Sequence, residues 1–205
     1  MNQPPDLLDH LVLATPDLAA TVADFAARSG VNPAPGGSHT GLGTANALVG
    51  LGGDAYLEIV GPDPQQPEPS RPRPFGIDDL DAATLVTWAV HPPDVDAVIA
   101  RVRQAGYDPG DAKPMSRRTP DGEQLSWRLT PPRGLVPFLI DWGDTPHPSS
   151  RGLPAVELAS FALRHADPAS LRRHLDALQL TIHVEPGEQS ALVAFLATPR
   201  GPLVL

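Results

Sequence analysis

Hydrophobic positions along the chain fall into short strand-like runs, each followed by a stripe with helical spacing. Leu7 to Ala14 (LLDHLVLA) is an apolar run with a polar His at its centre. After Thr15-Pro16-Asp17, the residues Leu18, Val22, Phe25 and Ala26 share one face of a helix predicted over Leu18 to Ser29. Asp17 is placed to cap that helix and Gly30 to stop it.

The pattern then returns twice. Leu85 to His91 (LVTWAVH) is a strand, Pro92-Pro93-Asp94 a turn and cap, and Val95 to Gln104 a helix with Val95, Val98, Ile99 and Val102 on one stripe. Leu158 to His165 (LASFALRH), Asp167-Pro168 and a helix over Ala169 to Leu178 repeat the order. The ends match as well: LTPPRGLVPFLI at Leu129 to Ile140 and LATPRGPLVL at Leu196 to Leu205 both read as strand, Pro-Arg-Gly turn, strand. Asn46 to Val60 is the counterpart in the first unit, turning at Gly52-Gly53. One further strand fits in each unit, near Asn32 to Ser38, Asp108 to Ser116 and Thr181 to Glu185. Each unit therefore reads β-α-β-β-β, and three such units point to duplication. The expected division is 1–148 as a pair (unit 1 about 6–62, unit 2 about 84–144) and 149–205 as a third, shorter unit.

Composition narrows the function. The chain has 205 residues, 41% hydrophobic and 19% charged, enough for a sizeable core. Its 26 prolines cluster in connectors such as Pro62 to Pro74 and Pro146 to Pro154, largely spare the periodic segments and make stiff loops. A net charge of −9 with a single lysine, Lys113, argues against nucleic acid as a partner. The absence of cysteine excludes disulfides, thiolate nucleophiles and Cys-ligated zinc. Met1 to Asp9 lacks the features of a signal peptide, and no stretch approaches the ~18 uninterrupted apolar residues of a membrane span. A cytoplasmic location is the default expectation.

Several stretches carry a family resemblance: Leu8-Asp9-His10-Leu11-Val12-Leu13, the glycine-rich GGSHTGLGTAN from Gly36 to Asn46, and Tyr56-Leu57-Glu58-Ile59-Val60. Trp127-Arg128-Leu129, Pro137 to Trp142 and His147-Pro148 add to it in the second unit. Over residues 7–148 the chain resembles the glyoxalase-like branch of the vicinal oxygen chelate (glyoxalase/bleomycin resistance/dioxygenase) superfamily. The resemblance implies an α+β fold of tandem βαβββ units, with curved mixed sheets and helices on the outer face. It also implies a divalent metal (Zn, Mn, Ni or Fe) in the concave site, held by a His from a first strand and a Glu from a last strand. His10 and Glu58 stand at those positions. Aligning the turns puts Thr87 and Ile140 at the matching places of the second unit, and neither is a strong metal ligand. Help from His39, Asp141, His147 or water is then needed.

Strand alternation supports the placement. His10, Val12 and Ala14 share one face, as do Tyr56, Glu58 and Val60, so imidazole and carboxylate line the cup while Leu11, Leu13, Leu57 and Ile59 pack beneath helices. His10 is expected as metal ligand, Glu58 as ligand and proton-transfer group, and His39 as a second catalytic candidate. Asn46, Trp127, Arg128 and Trp142 are expected to bind substrate. Blander readings stand beside these: a hydrogen-bonded core histidine for His10, a buried ion pair for Glu58, a loop histidine for His39 and a surface charge for Arg128. Trp88 is expected in the core. His91 and His165 are expected in solvated loops, and His174 and His183 on the surface. The resemblance implies a metal-dependent lyase, isomerase or dioxygenase acting on a small molecule with vicinal oxygens. A metal-free binding or resistance protein using the same pocket is the alternative. The third unit either pairs across a homodimer or covers an open sheet edge.

Overall fold

The computed structural model describes residues 5–205, so the first four residues of the Met1 to Asp9 segment lie outside the described residues. The first unit runs β1 (Leu8–Ala14), α1 (Leu18–Ser29), β2 (Ala34–His39), β3 (Thr44–Gly52) and β4 (Ala55–Pro62). The second runs β5 (Thr84–Val90), α2 (Val95–Gln104), β6 (Lys113–Arg118), β7 (Gln124–Leu129) and β8 (Phe138–Asp141). Then follow β9 (Glu157–His165), α3 (Pro168–Ala177), β10 (His183–Pro186), β11 (Ala191–Thr198) and β12 (Gly201–Val204).

The three helices begin alike because each is capped the same way. The carboxylates of Asp17, Asp94 and Asp167 accept from the backbone N–H of Ala20 (2.9 Å), Ala97 (2.9 Å) and Ser170 (3.0 Å). Strands β1 to β8 close into one barrel in the order β1-β4-β3-β2-β6-β7-β8-β5. Within each half the first strand runs parallel to the last, with His10 opposite Tyr56 in one and Ala89 opposite Phe138 in the other. The halves meet at two antiparallel seams. β1–β5 is long, and β2–β6 is reduced to the pair Ser38–Arg118.

Two expectations change here. The strand leading into the Pro-Arg-Gly turn of unit 2 is Gln124–Leu129, and residues 130–137 form a connector, because only Arg128–Asp141 and Leu129–Ile140 pair across β7 and β8. The third unit keeps the element order but not the pairing: its sheet runs β10-β9-β11-β12. There β9 pairs in parallel with β10 across the α3 crossover and antiparallel with β11.

The barrel has no open edge for that sheet to cover. The sheet instead lies against the outer wall, joined at Gly50, whose N–H donates to the Pro154 carbonyl and whose carbonyl accepts from Val156 (both 2.9 Å). Leu11, Leu13, Leu57, Ile59 and Trp88 pack outward with Phe25, Val98, Phe161 and Leu163 in one continuous core. The outward-facing leucines and isoleucine thus meet a sheet as well as helices. Val12, Ala14, Tyr56, Val60, Phe138 and Ile140 fill the interior.

The narrow seam depends on Gly37, whose φ of +133° favours glycine and where a Cβ would lie 2.0 Å from the Arg118 carbonyl oxygen. Gly37→Ala is expected to destabilise the protein by about 2–3 kcal/mol in denaturant unfolding. A loss under about 0.5 kcal/mol would show that the seam tolerates opening.

Candidate active site

The barrel encloses a cavity of about 260 Å³, at the small end of ligand sites. His10 reaches it from β1, His39 from the end of β2, Asn46 from β3, Tyr56 and Glu58 from β4, and Arg117 from β6. Trp127, Phe138, Ile140 and Trp142 supply apolar wall. His10, His39 and Glu58 are 3%, 6% and 8% exposed, so their polar atoms depend on one another rather than on water.

Glu58 lies between the two imidazoles. Its Oε2 is 3.8 Å from His10 Nε2 and its Oε1 is 3.7 Å from His39 Nε2. Asn46 Nδ2 donates to Glu58 Oε1 at 2.6 Å and reaches 3.5 Å toward His39 Nε2, while Asn46 Oδ1 is buried with no partner among the described residues. The opposite ring nitrogens are held from behind. His10 Nδ1 is 2.5 Å from Asp9 Oδ1, and His39 Nδ1 is 3.0 Å from Thr44 Oγ1. The Asp9 carboxylate only accepts, so it assigns the His10 proton to Nδ1 and leaves the His10 Nε2 lone pair facing the cavity, whereas the Thr44 hydroxyl can donate or accept and leaves His39 free to take either tautomer. Two imidazoles and a carboxylate converging on one space are donor types that fit a divalent cation.

Burial pulls the His39 pKa down, assisted by Arg117 and opposed by the charges of Glu58 and Asp63, so His39 favours the neutral, lone-pair form. Burial, then the charges of Asp9 and Glu58, push the Tyr56 phenol well above its ordinary range, so it stays a hydrogen-bond donor at neutral pH.

Asp9 was not singled out from the sequence, yet it organises this wall. A bulge in the β1–β5 pairing between Leu8 and His10 accompanies its inward position, where it is 1% exposed. Its Oδ2 accepts from Trp142 Nε1 (3.0 Å) and contacts His147 Nε2 (3.0 Å), with His91 Nδ1 at 3.7 Å. Burial alone would raise its pKa, but hydrogen bonds from His10 and His147 and their charges outweigh it and hold the carboxyl far below the usual range. Asp9, His91 and His147 also bring their ligand-type atoms within 4.8 Å of one another, a possible metal-binding triad outside the cavity lining. His91, expected in a solvated loop, is exposed but belongs to this cluster. His174, expected on the surface, is half-buried against Tyr107.

The expected site residues divide clearly. His10, His39, Asn46, Glu58, Trp127 and Trp142 line one cavity. Arg128 does not; its guanidinium is committed to Asp141 (2.6 Å) and Asp96 (3.1 Å) on the outer surface. The same pairing takes Asp141 out of reach, and His147 is engaged by Asp9. The counterpart of His10 also changes. His10 pairs with the residue two before Glu58, and Ala89 pairs with the residue two before Ile140, so Ala89 rather than Thr87 holds that place. The turn-based alignment misses this because the parallel registers of the two halves differ. The second half thus contributes no ligand there, and His39 of β2 completes the polar cluster instead.

The glycine-rich stretch allows close approach, but by the protein's own groups: a Cβ on Gly36 would meet Asn46 Oδ1 at 2.1 Å, and the Gly36 carbonyl accepts from Arg117 Nη1. Arg117 is the other residue missed. Its one signal was alternation with Met115 on a short strand, which every strand shares.

No curated protein matches the chain. Among solved structures, a hypothetical protein from Staphylococcus aureus aligns with a TM-score of 0.70 at 14% identity, over 90% of this chain and 87% of that one. A triple mutant of 4-hydroxymandelate synthase from Streptomyces coelicolor aligns at 0.51 and 16% identity, over 98% of this chain and 63% of that one. Methylmalonyl-CoA epimerase from Mycobacterium tuberculosis aligns at 0.43 and 17% identity, over 66% of this chain and 87% of that one. The model of the glyoxalase-like domain matches residues 8–179, and with the closed barrel of paired βαβββ units in place, this chain belongs to the glyoxalase-like family.

Proposed function

We propose that the chain is an isomerase- or lyase-type enzyme that moves a proton on a small molecule bearing vicinal oxygens. One observation carries this reading: a carboxyl group stands between two imidazole Nε2 atoms, at 3.8 and 3.7 Å, inside a largely apolar cavity. A divalent metal held by His10 and Glu58 would supply Lewis-acid polarisation of the substrate oxygens and would leave His39 free for proton transfer. Glu58 or His39 is placed to take a proton from carbon, since both face the cavity and neither is spent on a distant partner. Tyr56, kept as a phenol, offers a hydrogen bond to an oxygen that gains charge. Asp9 holds the His10 ring in one tautomer. Trp127, Phe138 and Trp142 keep water from the reacting atoms.

A second reading has its own support. Ala89 and Ile140 offer no ligand atoms, and the Arg117 guanidinium shares the cavity, which disfavours a second cation. Under that reading the protein binds its ligand without metal.

Metal analysis of protein purified without chelators, with melting curves in Zn²⁺, Mn²⁺, Ni²⁺ and Fe²⁺, separates the two. Bound metal and a raised melting temperature are expected. His10→Ala and Glu58→Ala should each weaken metal binding at least about tenfold with the fold intact, while His147→Ala should leave it unchanged. If His91→Ala and His147→Ala remove the metal and His10→Ala does not, the ion belongs to the Asp9 triad. No binding of any of the four ions supports the metal-free reading.

A further inference from the structure

Arg117 is 3% exposed and lines the cavity beside the polar cluster. A guanidinium carries five N–H donors. Among the described residues one protein acceptor is found for them, the Gly36 carbonyl, and no carboxylate lies within ion-pair distance. The side chain borders the cavity, and among the described residues its remaining donor nitrogens have no protein acceptor. The buried carboxylates here are treated differently: Asp9 has three partners and Glu58 has Asn46 and two imidazoles. Burying a cation without a counter-charge is expensive, and this one persists in a cavity walled by Leu48, Trp127, Phe138 and Ile140.

We propose that the cavity's ligand is a small organic carboxylate, its carboxylate docked on the Arg117 guanidinium and its apolar body against Trp127, Phe138 and Trp142. This rests on the cavity being the ligand site and does not depend on a metal. Three further features agree. The planar fork of an arginine matches a carboxylate in two parallel hydrogen bonds. The cavity of about 260 Å³ has room for a compact acid. Lys113, the only lysine, lies at the exposed rim of the same cavity, giving a chain of net charge −9 one locally cationic approach. A carboxylate fixed on β6 also orients the rest of the ligand toward Glu58 and His10 on the facing strands, which is what selective proton transfer requires.

The test compares an acid with its neutral isostere. Phenylacetate and phenylacetamide, and benzoate and benzamide, are titrated in the presence of EDTA, reading tryptophan fluorescence and heat. Trp127 and Trp142 line the cavity and Trp88 lies outside it, so quenching reports on this site. The acids are expected to bind at least about tenfold more tightly than the amides. Arg117→Met should erase that preference, and Arg117→Lys, which keeps the charge and a folded barrel should Met prove disruptive, should retain part of it. Glu58→Gln should keep the preference although it loses the metal, so this inference and the enzymatic reading fail separately. Equal affinity for acid and amide in the unaltered protein, an undiminished preference in Arg117→Met, or no saturable binding of either acid would overturn the proposal.

Discussion

Trp88→Ala is expected to cost about 4–5 kcal/mol of stability, the largest loss from a single apolar substitution in this molecule. The indole is fully buried, packs edge-on against Phe161 with ring centroids 5.3 Å apart, and donates from Nε1 to the Leu135 carbonyl at 2.7 Å. Truncation removes its transfer free energy, leaves a cavity and strips that carbonyl of its donor. It also cuts at the joint between the barrel wall and the β9–β12 sheet, where Phe161 has no water to turn to. For a chain of this size the melting temperature should fall by about 10–15 °C. Trp127→Ala, whose ring borders a cavity already present, should cost much less. Similar losses in the two variants would mean that the sheet does not depend on this joint.

Asp9→Ala should lose about 3–4 kcal/mol, because the Trp142 N–H and the His10 Nδ1–H are left buried without an acceptor. His147, half-buried, recovers part of its loss from water. The same residue predicts a pH signature. Its carboxyl titrates below the ordinary value of 3.8 in the folded state, so the folded protein binds fewer protons there than the unfolded chain. Its contribution is therefore fully present above about pH 4 and is lost as the pH falls through the depressed folded value. Asp9→Asn should flatten the acid limb of the stability curve below pH 4 relative to the unaltered protein. An unchanged acid limb would place the acid sensitivity elsewhere. Metal affinity should also fall about tenfold in Asp9→Asn, since the His10 ring loses the group that fixes its tautomer.

Much of the architecture was legible because local chemistry dictates it. Helices α1 and α2 begin and end where the Asp caps and the apolar stripes place them, since a cap satisfies backbone donors with neighbours in sequence. The inward and outward faces of β1 and β4 follow from a period of two, and so His10 and Glu58 were placed on one interior wall. What periodicity cannot encode is which strand lies next to which. The third unit has the same order of elements as the others, yet β9 pairs with β10 and β11 instead of with the last strand, a choice made by long-range edges and by packing on the barrel.

The site divides along the same line. The polar intruders His10 and Glu58 announced themselves in apolar runs, because a buried polar group needs a reason. Asp9 and Arg117 did not. A bulge accompanies the inward turn of one, and the other earns its meaning from a cavity closed by strands over 50 residues away in the chain. Arg128, the more conspicuous arginine beside a tryptophan, went to the surface, because two carboxylates there match it. The sequence by itself determined the repeated elements, the facing of their side chains and the first two members of the site. Only the tertiary structure decided the pairing of the third unit, the Asp9 hub and the unpaired cation, because each depends on contacts between residues that no local pattern connects.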